Sequence, residues 1–123
     1  MRVLLLTSLL LGAVPAAATA NAAASPPPAI GQETSIPDIH RDGFIDWRAE
    51  GRDALYVHAM NGKWYLVRTA APCPRLRTAM ALGFVASPTD RLDRYGAILA
   101  EGWRCQIASV TLSAPPPPRP RRH

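Results

Sequence analysis

Hydrophobic and polar positions alternate most cleanly on either side of Asn61-Gly62, in ALYVHAM (residues 54–60) and KWYLVRT (residues 63–69). A period of two marks strands with one buried face. Asn-Gly suits a two-residue type I′ turn because both residues tolerate positive φ. The pattern therefore predicts a β-hairpin. A two-residue loop sets Ala59 opposite Trp64, Val57 opposite Leu66 and Tyr56 opposite Val67. On that register Leu55, Val57, Ala59, Trp64 and Leu66 share the core face, while Tyr56, His58, Lys63 and Tyr65 share the outer one.

Shorter runs extend the pattern. GFIDWR (residues 43–48) reads as a strand, with EGRD (residues 50–53) as the turn after it. TAMALGFVA (residues 78–86) carries two signals: Met80, Leu82 and Phe84 alternate as in a strand, whereas Leu76, Ala79, Met80 and Gly83 have helical spacing. Gly83 and Val85 favour a strand at its end, after a helical turn that begins at Pro74. SPTD (residues 87–90) reads as a loop. Residues 95–100 and 104–112 form a second hairpin through Glu101-Gly102. Five or six short strands within residues 36–112 predict an all-β domain, a small antiparallel barrel or sandwich. The alternative is an α+β arrangement with one short helix near Leu76.

Outside that span the pattern changes. VLLLTSLLLGAV (residues 3–14) is continuously apolar, follows Arg2 and ends at Pro15, with small-x-small cleavage sites at Ala18-Thr19-Ala20, Ala20-Asn21-Ala22 and Ala22-Ala23-Ala24. Its length suits the apolar region of a secretory signal, about 7–15 residues, and falls short of the roughly 20 that a spanning helix needs. Residues 1–24 are thus expected to be a cleavable signal peptide, leaving a periplasmic or secreted protein with no transmembrane anchor. Residues 25–35 (SPPPAIGQETS) read as a flexible leader, and residues 113–123 (SAPPPPRPRRH) as a disordered tail of polyproline II character.

Charge excludes one class of partner. The 123-residue chain has a formal net charge of +5, yet residues 36–112 hold ten basic against eight acidic side chains, interspersed along the chain. Such a surface is no footprint for a polyanion, so specific nucleic-acid binding is not expected. The excess sits in the tail, where Arg119, Arg121 and Arg122 are placed to touch anionic envelope material.

Candidate chemistry is sparse. Two cysteines, Cys73 and Cys105, in an exported chain predict a structural disulfide, and their separation excludes C-x-x-C redox and haem-attachment motifs. His40, His58 and His123 lack the neighbouring ligands of a zinc signature, so no metal or cofactor is expected. Asp90 and Asp93, in TDRLDR, are the one pair of loop carboxylates that a hydrolase could use. Asp90 after Pro88-Thr89 also suits a turn or cap, with Arg91 and Arg94 solvated beside it. Of the aromatics Tyr56, Trp64, Tyr65, Phe84, Tyr95 and Trp103, half must fill the core of so small a domain. Tyr56 and Tyr65, with His58, form the expected ligand face.

The run Trp47, Ala54-Leu55-Tyr56-Val57, Trp64-Tyr65, Cys73-x-x-Leu76-x-x-Ala79, Gly83-Phe84, Asp93 and Arg104-Cys105-x-Ile107 resembles the domain of unknown function 6491 family of small exported bacterial proteins. The resemblance spans most of residues 44–110, and its most specific parts surround the two cysteines. It implies the exported compartment and the disulfide, and carries over no catalytic residue. The expected function is a non-enzymatic binding or structural module acting on an envelope protein or ligand. A small envelope hydrolase using Asp90 or Asp93 and a periplasmic protein inhibitor are the alternatives.

Overall fold

Alternation between a buried and a solvated face builds one curled sheet. In this computed structural model the described residues are Gly12 and 26–118. The expected signal peptide lies outside them apart from Gly12, as do residues 119–123 of the tail. The main strands are β2 (Phe44–Glu50), β3 (Ala54–Ala59), β4 (Trp64–Thr69), β5 (Leu82–Val85), β7 (Ala97–Ala100) and β8 (Trp103–Ser113). They form a six-stranded antiparallel sheet in the order β2-β3-β4-β8-β7-β5. Two short strands, β1 (Ile36–Pro37) and β6 (Arg91–Leu92), pair separately. The fold is all-β, as the pattern predicts. The helical signal near Leu76 resolves into a single 3₁₀ turn, Leu76–Thr78, entered through Arg75 in the left-handed region (φ 65°).

The 11-residue β8 joins the two halves: Trp103–Gln106 pair with β7, and Ile107–Ser113 with β4. Its buried positions, Cys105, Ile107 and Val110, break strict alternation. A register shift opposite Arg68/Thr69 inserts one extra residue and restores the inward phase. Such a bulge also bends the strand and strengthens its twist, and here the sheet curls into a half-barrel. Its two edges meet where the ring of Phe44 on β2 stands edge-on to Phe84 on β5, with centroids 5.5 Å apart. Inside lie Ile36, Leu55, Val57, Val67, Leu76, Leu92, Ile98 and Val110, all fully buried.

The first hairpin departs from its predicted register. Gly62 N donates to Ala59 O at 3.0 Å and Ala59 N donates to Lys63 O at 3.0 Å. The loop is therefore the three residues Met60-Asn61-Gly62, with only Gly62 at positive φ (84°). This is the turn-plus-bulge geometry of three-residue hairpin loops. Pairing shifts by one residue, giving His58 opposite Trp64, Val57 opposite Tyr65 and Leu55 opposite Val67. A one-residue slip turns every side chain of a strand to its other face. Tyr65, expected outside, is in the core at 3 % exposure, whereas Trp64 and Leu66 are half-buried on the outer face. The local chemistry favours this outcome, because Asn61 Nδ2 donates to the Tyr65 hydroxyl at 2.9 Å and so supplies the polar partner that a buried tyrosine needs.

The second hairpin is a two-residue turn at Glu101 and Gly102, both at positive φ, with Ala100 opposite Trp103. Residues 31–34 of the expected leader hydrogen-bond along β8: Gly31 N to Leu112 O at 2.7 Å, Leu112 N to Gln32 O at 3.1 Å and Thr34 N to Val110 O at 2.8 Å.

Candidate functional site

Cross-strand register sets the outer face of the half formed by β2, β3, β4 and β8. One row runs Asp46, His58, Trp64, Ser113, and the next runs Arg48, Tyr56, Leu66, Thr111. Tyr56, His58, Trp64 and Leu66 are half-buried there although they point away from the core. The His58 and Trp64 rings stack nearly parallel, with centroids 4.5 Å apart and an interplanar angle of 11°. They form a stacked aromatic plate, two rings thick, in the middle of the face. Beyond Ser113 the chain returns over this side, since the Arg48 guanidinium donates to the Pro117 carbonyl, and Pro116 is half-buried.

Of the expected ligand face, then, Tyr56 and His58 are in place and Tyr65 is not. Trp64 takes its position, joined by Leu66 and Arg48. The signal that identifies them is the hairpin's loop length, because only the three-residue loop turns Trp64 outward. Arg48 was legible as a charged position on a strand, but its partner in the tail was not.

Asp90 and Asp93 are both engaged by backbone. Asp90 sits at φ 58°. Its carboxylate accepts from His40 N at 2.9 Å and Arg41 N at 2.8 Å, and its Oδ1 lies 3.1 Å from His40 Nδ1. Desolvation pushes this carboxyl up, but the Arg41 and His40 N–H groups, with the His40 imidazole, outweigh it and hold Asp90 below the ordinary carboxylate range. His40 Nε2 donates to Phe84 O at 2.7 Å. Asp90 thereby clamps the loop between β1 and β2 against the β5 edge, near the seam where the half-barrel's edges meet. Asp93 Oδ1 accepts from Tyr95 N at 2.9 Å, a local turn bond. Neighbouring Tyr95 is exposed, as is Trp103 at the far end of β7, and the Arg94 guanidinium lies 5.1 Å from the Tyr95 ring centroid.

Cys73 and Cys105 are bonded to each other, with Cα atoms 5.6 Å apart. Beside Cys73, Arg52, Arg75 and Arg77 line an open cleft around the 3₁₀ turn, a cluster not singled out from sequence because Arg52, in the turn between β2 and β3, is far along the chain from the other two. Among the described residues no group of three or more His, Cys, Asp or Glu is arranged to hold a metal ion, and no helix is long and apolar enough to cross a membrane.

These features define a small, disulfide-braced β half-barrel with an aromatic plate on its convex side. The chain belongs to the family of unknown function DUF6491, which matches residues 1–113 of 123. No curated protein and no solved structure matches the chain.

Proposed function

We propose that this protein is an exported, non-enzymatic binding module of the bacterial envelope, and that the outer face carrying Tyr56, His58, Trp64 and Leu66 is where it meets its ligand. The observation behind this reading is the stacked His58–Trp64 plate, flanked by Leu66 and Arg48 on the side of the sheet away from the core. A stacked, half-buried aromatic pair beside a cationic donor is the composition of binding surfaces rather than of a solvated strand face. Export is supported by the tripartite segment at residues 1–24 and fits the Cys73–Cys105 bond, since such bonds persist in oxidising compartments. The tail residues Arg119, Arg121 and Arg122 add an electrostatic contact to anionic envelope material.

The test has two arms. N-terminal sequencing of the exported protein should start between Asn21 and Ser25, and an intact Met1 in the envelope fraction would refute export. A pull-down from envelope extract with the full mature chain should recover a partner that the variant carrying His58→Glu and Leu66→Glu loses. Both substitutions face away from the core, so the fold is kept. Equal recovery by the two chains would refute the assignment of this face.

A further inference from the structure

We infer that the outer face docks proline-rich segments in the polyproline II conformation and is crossed in the isolated chain by its own residues 114–118. This deepens the reading of that face as the binding surface and rests on it.

Chain geometry carries the inference. Ser113 ends β8, and four residues later the Pro117 carbonyl accepts from Arg48 on β2. Between β8 and β2 lie β4 and β3, so three inter-strand steps separate the two points. At about 4.8 Å per step, and with Arg48 two residues (about 7 Å) along β2 from the row of Ser113, the span is about 16 Å. Four residues in polyproline II reach about 12 Å, and the Arg48 side chain, directed to the outer face by its pairing with Tyr56, covers the difference. No slack remains for a detour round the sheet. A direct path takes the segment over Trp64 and Leu66 and then His58 and Tyr56; along it Pro116 is half-buried while Ala114, Pro115, Pro117 and Pro118 keep one side to solvent.

The chemistry fits the occupant. Proline has no N–H, so a proline run leaves its carbonyls to be satisfied by outside donors and offers flat ring faces to aromatic side chains. Here Arg48 is such a donor and the stacked His58–Trp64 pair is the aromatic partner on the same face. The tail, SAPPPPRP over residues 113–120, has the matching sequence. A tethered ligand is present at an effective concentration of the order of 1 mM. With an intrinsic tail affinity of about 0.1 mM it would therefore weaken a competing peptide roughly ten-fold. The tail acts as an internal competitor that an external proline-rich segment must displace.

The experiment titrates the full mature chain, and the same chain carrying Pro115→Ser, Pro116→Ser, Pro117→Ser and Pro118→Ser, with the end-capped peptide SAPPPPRP. The readout is the NMR resonance of the Trp64 indole N–H. The serine variant should bind the peptide about ten-fold more tightly than the parent, with the Trp64 resonance moving. Adding Arg48→Ala to that variant should weaken binding several-fold, and the peptide SASSSSRS should not bind. The inference falls if the variant binds neither peptide, if parent and variant bind SAPPPPRP equally, or if their Trp64 resonances coincide before any peptide is added. It also falls, while the binding-module reading stands, if the envelope partner is lost on His58→Glu and Leu66→Glu but SAPPPPRP never competes for it.

Discussion

Reducing the Cys73–Cys105 bond tests how this small domain is held together. The bond joins positions separated by 32 residues, and the loop it closes holds the 3₁₀ turn, β6, and the strands β5 and β7 that make up most of one half of the six-stranded sheet. Just before Cys73, Ala70 N donates to Gln106 O at 2.9 Å, and Cys73 N donates to Arg52 O at 2.8 Å. The segment leaving β4 is thus tied back both to β8 and to the turn between β2 and β3. For a loop of this length the chain-entropy relation gives about 3.7 kcal/mol. A domain of this size has a total stability of roughly 4–12 kcal/mol, so loss of the bond removes a large fraction of it. With an unfolding entropy of about 2.1 cal/mol/K per residue, the same figure corresponds to a fall of roughly 20 °C in Tm. Strain in the native bond would reduce that, and half the shift would still be plain in a calorimetric scan. Both cysteines are nearly buried, at 4 % and 7 % exposure, so the native protein should not react with a thiol-alkylating agent until unfolded and reduced. Scans with and without reductant, and of the double variant Cys73→Ala, Cys105→Ala, should agree. A Tm unmoved by reductant, or two alkylatable thiols in the native exported protein, would refute the bracing role.

Other perturbations test the turns and the seam. Gly62→Val places a β-branched residue at φ 84° and should cost about 1–2 kcal/mol in denaturant unfolding, with Gly62→Asn costing less because asparagine tolerates that region. Gly96→Ala should lower stability by about 1–3 kcal/mol, since a Cβ there would stand 2.5 Å from Val85 O and 3.0 Å from Leu92 Cδ1; a neutral effect in the same assay would mean that the β5–β7 contact gives way freely. Asp90 is held below its ordinary value by the N–H groups and imidazole it engages. The stability it contributes is therefore present above its unfolded pKa, about 3.9, and is lost as pH falls through the folded value. Asp90→Asn should lower Tm at neutral pH and flatten its acid dependence, and identical Tm–pH profiles for the two proteins would refute the clamp.

Strand positions and the β class were legible because alternation is a local property of the chain, and Leu55, Val57 and Ala59 lie inward as their spacing requires, whereas Val67, set opposite Tyr56 by the predicted register, is buried only after the one-residue shift. Register was not equally legible. Asn61-Gly62 is compatible with a two-residue loop and with a three-residue loop ending in glycine, and both leave the flanking strands apolar on alternate positions. The choice rests on which of Trp64 and Tyr65 the core accepts. Tyr65 wins because Asn61 reaches its hydroxyl, while Trp64 finds a stacking partner in His58 outside. The bulges in β2 and β8 were hidden for a related reason. An inserted residue such as Ile45, 54 % exposed, looks like any other apolar strand position until its partner strand is known.

The candidate site inherits this limit. Tyr56 and His58 were identifiable as outward-facing because their strand's phase is set by Leu55, Val57 and Ala59, but the plate becomes a plate only when Trp64 is turned to meet His58. Arg48 and the proline tail are 69 residues apart and touch only because β8 lies three strands from β2. Composition alone makes the tail a solvated arm, since prolines supply no N–H and little apolar area to bury. What changes that expectation is distance. A segment too short to travel any other way must lie across the sheet, and a sheet face that carries stacked rings where solvated side chains would serve has a surface worth covering. The same four residues that look like low complexity in the sequence therefore become, in the fold, the feature that best explains why the outer face is aromatic.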